Sequence, residues 1–182
     1  MKLYHIDRSG FLKEGKIIEL IQDFATDKMH ESDYFKDGLS SHGIHYFTND
    51  AVNKDYLLDA IFEYERMLNY PEKLSRFQAF YCFDKEGLEK FINKKYLEDN
   101  FYKIYEIEVS KKDYERHNME LVRGWSFQST VKYARLYWED KSDPYKKDAE
   151  VTYEYLVKLP VTIGKEVKLK DILKKKQKAS KD

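Results

Sequence analysis

The residues best suited to chemistry lie in three stretches that are far apart in the chain. The first is Tyr4-His5-Ile6, followed by Asp7-Arg8-Ser9-Gly10. A histidine on a short apolar strand that ends in a polar cluster sits at a sheet edge, where a ligand can reach its ring. Asp and Ser bond their own backbone in such turns, and Gly10 supplies an unusual φ. Arg8 adds a planar fork that pairs two phosphate oxygens at once. The second stretch, Gly43-Ile44-His45-Tyr46-Phe47-Thr48, carries an aromatic pair. On a strand, adjacent residues face opposite sides, so one ring enters the core while the other stays free to stack on a flat ligand. His45 then falls on the side opposite Tyr46 and is left out of the site. The third stretch is Glu154-Tyr155-Leu156-Val157, which offers a carboxylate as hydrogen-bond acceptor. Glu150 competes with Glu154 by parity. The apolar run up to Pro160 anchors Glu154 in a strand, which fixes it better than a loop would.

These groups need a mixed α and β frame. Leu3 to Ile6 reads as a strand, and Gly15 to Leu20 as a second. Gln22 to Ser41 is polar and weakly periodic, a long irregular loop of the kind that is often functional. Ile44 to Phe47 reads as a strand. Thr48-Asn49-Asp50 offers N-caps to a helix from Ala51 to Leu68. Leu57, Ile61, Tyr64 and Leu68 give that helix one apolar face, and Pro71 ends it. Phe77 to Phe83 is extended, and Asp84 caps a short helix with Leu88, Phe91 and Ile92 on one side. Tyr102 to Val109 alternates as a strand with one wet face. Ser110 starts a helical turn that includes Tyr114, Gln128 to Trp138 forms an amphipathic helix, and Val151 to Val157 a strand. Asp140 to Asp148 reads as a charged connector. Ser75-Arg76 reads as a salt bridge at a sheet end, with phosphate or target contact as the alternative. Trp125 and Trp138 are expected in the core, with stacking on a target base as the alternative.

Composition narrows the function classes. With 33 basic and 33 acidic residues, no overall field steers the chain to nucleic acid or membrane. Hydrophobic residues are only 42% of the chain, but 16 Tyr and 11 Phe bury large areas and keep polar handles. A single cysteine, Cys82, rules out an intrachain disulfide and a Cys-rich zinc site. Its apolar neighbours make it an inert core thiol. His5, His30, His42, His45 and His117 lack metal-ligand spacing, so no metal is expected. Neither a membrane-length apolar run nor a signal core is present, which leads to the expectation of a soluble, cytoplasmic protein.

Tyr4-His5-Ile6-Asp7-Arg8-Ser9-Gly10, Gly43 to Thr48, Ser75-Arg76-Phe77-Gln78-Ala79-Phe80 and Glu154 to Val157, in this order, resemble a family of bacterial and phage proteins similar to ADP-ribosyltransferases of the His-Tyr-Glu type. His5-Ile6-Asp7 stands where many such enzymes carry His-Gly-Thr. The resemblance covers residues 1–167 as one domain, with 168–182 as a Lys-rich helix or tail. It implies an α+β fold with a split antiparallel β core and flanking helices, and NAD as co-substrate. It implies that His5 orients the nicotinamide end, that Tyr46 stacks on the nicotinamide ring, and that Asp7, Arg8 and Ser9 hold the amide and pyrophosphate. Glu154 would bond the ribose 2′-hydroxyl and stabilise an oxocarbenium-like state. The implied activity is ADP-ribosyl transfer to RNA, DNA or protein, in toxin–antitoxin or phage-defence settings, with a neutralising antitoxin as partner. For an RNA target, Arg123, Lys132 and Arg135 would form a positive strip. Two other classes stay open: an RNA-binding or RNA-cleaving protein, for which the Lys174 to Lys181 tail speaks, and a catalytically silent NAD-binding module.

Overall fold

A computed structural model describes residues 1–22, 35–47, 54–95, 102–145 and 150–172. Within these residues the chain is mixed α and β, built on small antiparallel sheets. Strand β1 (Lys2–Asp7) pairs antiparallel with β4 (Lys103–Glu108), with Leu3 opposite Ile107 and His5 opposite Tyr105. Strand β8 (Glu166–Val167) adds to the other edge of β4. A second sheet has β6 (Tyr153–Lys158) at its centre, between β3 (Ala79–Cys82) and β5 (Tyr114–Asn118). The short strands β2 (Ile17–Ile18) and β7 (Val161–Thr162) pair with each other.

The two main sheets meet at one point. Tyr4 and Phe83 exchange backbone hydrogen bonds of 2.8 Å each way, and beyond that bridge β1 and β3 do not continue as a ladder. Leu3, Tyr105 and Ile107 from one sheet and Phe80, Cys82, Tyr155 and Val157 from the other share a buried cluster. The opposite face of the second sheet carries Ala79 and Leu156, which pack on helices α2 (Lys54–Asn69) and α4 (Phe127–Trp138). Helix α3 (Lys85–Lys95) closes a third cluster through Leu88 and Ile92, which also takes in Ile172 from the helical residues 169–172. Asp84 caps α3, since its Oδ1 accepts from the Gly87 amide at 2.7 Å.

Several sequence expectations need correction. Ile44 to Phe47 is not a strand but part of helix α1 (Ser41–Phe47). Ser40 decides this: its Oγ accepts from the Gly43 amide at 3.0 Å, and its carbonyl accepts from the Ile44 amide at 2.9 Å. A side-chain cap of this type satisfies an otherwise orphaned amide. Gly43 is needed there, because a Cβ would collide with the Phe77 carbonyl. The expected apolar stripe of α2 points outward, with Leu57, Tyr64 and Leu68 all exposed. The buried face holds Leu58 and Phe62 with Asp59, Glu63 and Glu65. Those carboxylates can be buried because each meets an arginine: Arg76, Arg66 and Arg135 respectively. The strand expected over Gly15 to Leu20 shrinks to two residues. Tyr105 and Ile104 are both buried, so β4 has no fully wet face. Tyr114 opens β5 rather than ending a helical turn. Trp138 is in the core, whereas Trp125 is 75% exposed and is not. The Thr48-Asn49-Asp50 caps, most of the loop from Gln22 to Ser41 with His30, and the Lys174 to Lys181 tail lie outside the described residues, as do residues 146–149 of the connector.

Candidate functional site

The divergence of β1 from β3 leaves a cavity of about 420 Å³ between them. That volume lies within the range of ligand pockets, about 300–1,000 Å³. His5, Asp7, Arg8 and Ser9 line it from β1 and its turn, Ser41 and His42 from the start of α1, and Phe80 and Tyr81 from β3.

His5 bridges the split: its Nδ1 lies 2.7 Å from the Tyr81 carbonyl and its ring stacks on Phe80 at 4.2 Å. Burial pushes its pKa down, against the pull of the Tyr81 carbonyl. Asp7 is spent on the turn. Its Oδ1 accepts from the Ser9 amide at 2.9 Å, the Ser9 hydroxyl at 2.6 Å and the Gly10 amide at 3.0 Å. Its Oδ2 accepts from the Leu12 amide at 3.0 Å. Burial opposes the charged form, but the Ser9 hydroxyl and these amides outweigh it and hold the carboxyl below its usual range. Gly10 at φ 74° completes the turn. Asp7 therefore shapes the loop, which presents the exposed Arg8 and Ser9 to the cavity.

His42 was not singled out from the sequence, yet it joins the site's aromatic wall. Its ring centroid lies 4.4 Å from Tyr81 and 4.6 Å from Tyr46. Burial, with the Arg76 charge behind it, lowers its pKa to about 4, so it is a neutral imidazole at physiological pH. The Ser40-Ser41-His42-Gly43 string was the signal, since serines ahead of a helical turn announce a cap. Tyr46 touches His42, but packs with Phe47 against the Phe35–Leu39–Phe77 cluster and does not line the cavity.

Glu154 lies on β6 and does not line the cavity. It is buried and its Oε1 accepts from the Tyr137 hydroxyl at 2.6 Å and from Arg76. Arg76 also donates from Nε to Asp59 at 2.9 Å, and its guanidinium lies 5.3 Å from the Tyr81 and Tyr137 ring centres. Burial penalises the cation, but Glu154, Tyr81, Tyr137 and Asp59 more than compensate and raise its pKa further. Tyr81 and Tyr137 are pushed up by burial. The structure thus gathers His5, Asp7, Arg8 and Ser9, puts Tyr46 in contact with the wall, and leaves Glu154 outside the cavity lining. The Ser75-Arg76 salt bridge expected at a sheet end exists, but it is a buried centre of this network. Cys82 is buried, and burial raises its thiol pKa.

Chemically, the cavity offers two cationic side chains, Arg8 and Lys16, three serine hydroxyls and a wall of aromatic rings. That combination suits a planar group joined to an anion. Residues 3–169 match a family described as a protein of unknown function, DUF2441. The chain belongs to this family. No curated protein matches it. No helix among the described residues is long and apolar enough to cross a membrane.

Proposed function

We propose that the cavity between β1 and β3 binds NAD and that the protein transfers its ADP-ribose to a macromolecular acceptor, RNA, DNA or protein. The observation that supports this reading is the convergence of His5, Arg8, Ser9, His42 and Tyr81 on one cavity from three remote stretches. Arg8 and Lys16 pair the pyrophosphate, and the His42 ring stacks the nicotinamide. The finer fold assignment, an ADP-ribosyltransferase-like split β core, belongs to the same proposal. It is supported by two sheets that part beyond the Tyr4–Phe83 bridge.

In the reaction, the glycosidic bond breaks and nicotinamide leaves with the electron pair. A lone pair of the acceptor forms the new bond to the anomeric carbon, and the acceptor loses its proton. That proton passes to water, because His42, with a pKa of about 4, is too weak a base to hold it. Glu154 stabilises the oxocarbenium-like state once Tyr81 swings away and Glu154 exchanges Arg76 for the ribose 2′-hydroxyl. One observation favours a second reading, a binding module without turnover: Glu154 is already satisfied by Arg76 and Tyr137.

Incubation of the protein with labelled NAD and cell extract, with nicotinamide release as second readout, separates the two. The transferase reading expects label on a macromolecule. It also expects Arg8→Ala to lose NAD binding, and Glu154→Gln to bind NAD while losing transfer about a hundredfold or more. NAD binding with no nicotinamide release selects the silent module. No NAD binding sinks both.

A further inference from the structure

A separate face, built by α4 and the loops on either side of it, has the make-up of a single-stranded nucleic-acid site. We propose that the groove beside α4 binds single-stranded nucleic acid by stacking bases on Trp125 and Tyr145 and pairing phosphates with Lys132, Arg135 and Arg123. This inference stands independently of NAD chemistry.

The groove encloses about 800 Å³ and lies apart from the cavity between β1 and β3. Its exposed rings are the first reason. Trp125 is 75% and Tyr145 70% exposed, and Phe127 beside the groove is 69% exposed. Three large aromatics left in water at one place are a marked exception to burial. The protein's other tryptophan, Trp138, is buried and donates to the Phe62 carbonyl at 2.9 Å. Trp125 therefore differs from it in being open to a partner.

Charge is the second reason. Arg123, Lys132 and Arg135 line the groove, and no Asp or Glu does so among the described residues. Asp143 and Glu65 pair with Arg123 and Arg135 from behind. Lys132 lies over the Tyr145 ring at 4.4 Å and donates to its hydroxyl at 2.6 Å. A phosphate can take over that donor without breaking an ion pair. Arg123 and Arg135 are held in ion pairs, so among the described residues Lys132 is the groove cation without a carboxylate partner. An unstacked base needs a π-face, and the adjoining phosphate needs a cation; the groove alternates the two. A duplex keeps its bases stacked inside and gains nothing from the rings.

The platform is rigid, which limits the entropy lost on binding. Ser126 and Ser129 form a reciprocal capping box at the start of α4. Gly124 precedes Trp125 where a Cβ would strike the Thr130 side chain. Trp125 is held edge-on to Tyr133 at 5.8 Å, and the Arg123 guanidinium lies 4.5 Å over the Tyr133 ring.

The test is a titration of the full chain with mixed-sequence single-stranded DNA and RNA of about 12 nucleotides, without NAD. Trp125 fluorescence and the anisotropy of a dye on the oligonucleotide are the readouts. Binding is expected to quench the tryptophan and to weaken with salt. Trp125→Ala and, separately, Tyr145→Ala are expected to lose affinity about tenfold or more while melting like the parent. Lys132→Ala is expected to flatten the slope of log K against log salt by about 0.7. Tyr64→Ala, an exposed ring on α2, should change nothing. Equal binding by the parent and both aromatic variants would overturn the proposal. So would duplex DNA bound as tightly as the single strand. Equal competition by polyglutamate would assign the face to an acidic protein instead. Because NAD is absent, failure here leaves the transferase reading untouched, and failure of transfer leaves this one.

Discussion

Arg76 is the residue on which the buried polar architecture turns. It serves Asp59, Glu154 and Tyr137 at once. Removing it leaves two buried carboxylates without their cation, so Arg76→Ala is expected to cost about 3–5 kcal/mol in urea unfolding. The triple variant Arg76→Met, Asp59→Asn, Glu154→Gln should regain most of that loss, because no bare charge remains. His42 makes a pH prediction. Its pKa is about 4 in the folded chain against 6.5 for the free group. The unfolded chain therefore binds the extra proton first as pH falls. Stability is at its full value above pH 6.5 and declines toward pH 4, by about 3 kcal/mol. Melting curves between pH 7 and 4 should show the decline, and His42→Gln should flatten it. At this scale the sequence was informative where bonds are local: the Asp7–Ser9–Gly10 turn follows from residue types alone. It was silent on Glu154, because a carboxylate's partners come from Arg76 and Tyr137, far away in the chain.

The helices teach a different lesson at the level of elements. Helix α2 has two apolar stripes, and periodicity alone selected Leu57, Tyr64 and Leu68. The stripe that is buried carries three carboxylates, which look like a solvent face until their arginines are known. Phe62→Ala should therefore cost about 3–5 kcal/mol, and Leu57→Ala no more than about 0.5 kcal/mol, both by urea denaturation. Helix α1 was misread because so short a run, with Ile44, Tyr46 and Phe47 as its apolar residues, fits either period; the serine cap, not the run, was diagnostic. Elements with strong punctuation were legible: Asp84 before α3, Pro71 after α2, and the whole of α4. Ser126→Ala, which breaks the α4 capping box, is expected to lower stability by about 1 kcal/mol.

At the scale of the whole molecule, no local residue pattern marks the split between β1 and β3; a split core entered the sequence reading only as what the family resemblance implies. The pairing of β1 with β4 joins residues about a hundred positions apart, and nothing local marks it. If NAD occupies the resulting cavity, it stabilises the folded chain by mass action, by about 2.7 kcal/mol at a hundredfold excess over Kd. Scanning calorimetry should then show a rise in Tm of several degrees, absent in Arg8→Ala. Tyr81 has one more consequence for the assembled protein. Its phenol ring lines the open cavity and packs on both His42 and the buried Arg76 guanidinium, so it borders a wet chamber and a dry ion pair. Dry ion pairs ignore dissolved electrolyte and hydrated ones do not. Tyr81→Ala would let the chamber leak, so that the chain's tolerance of urea would begin to track the ionic strength of the buffer.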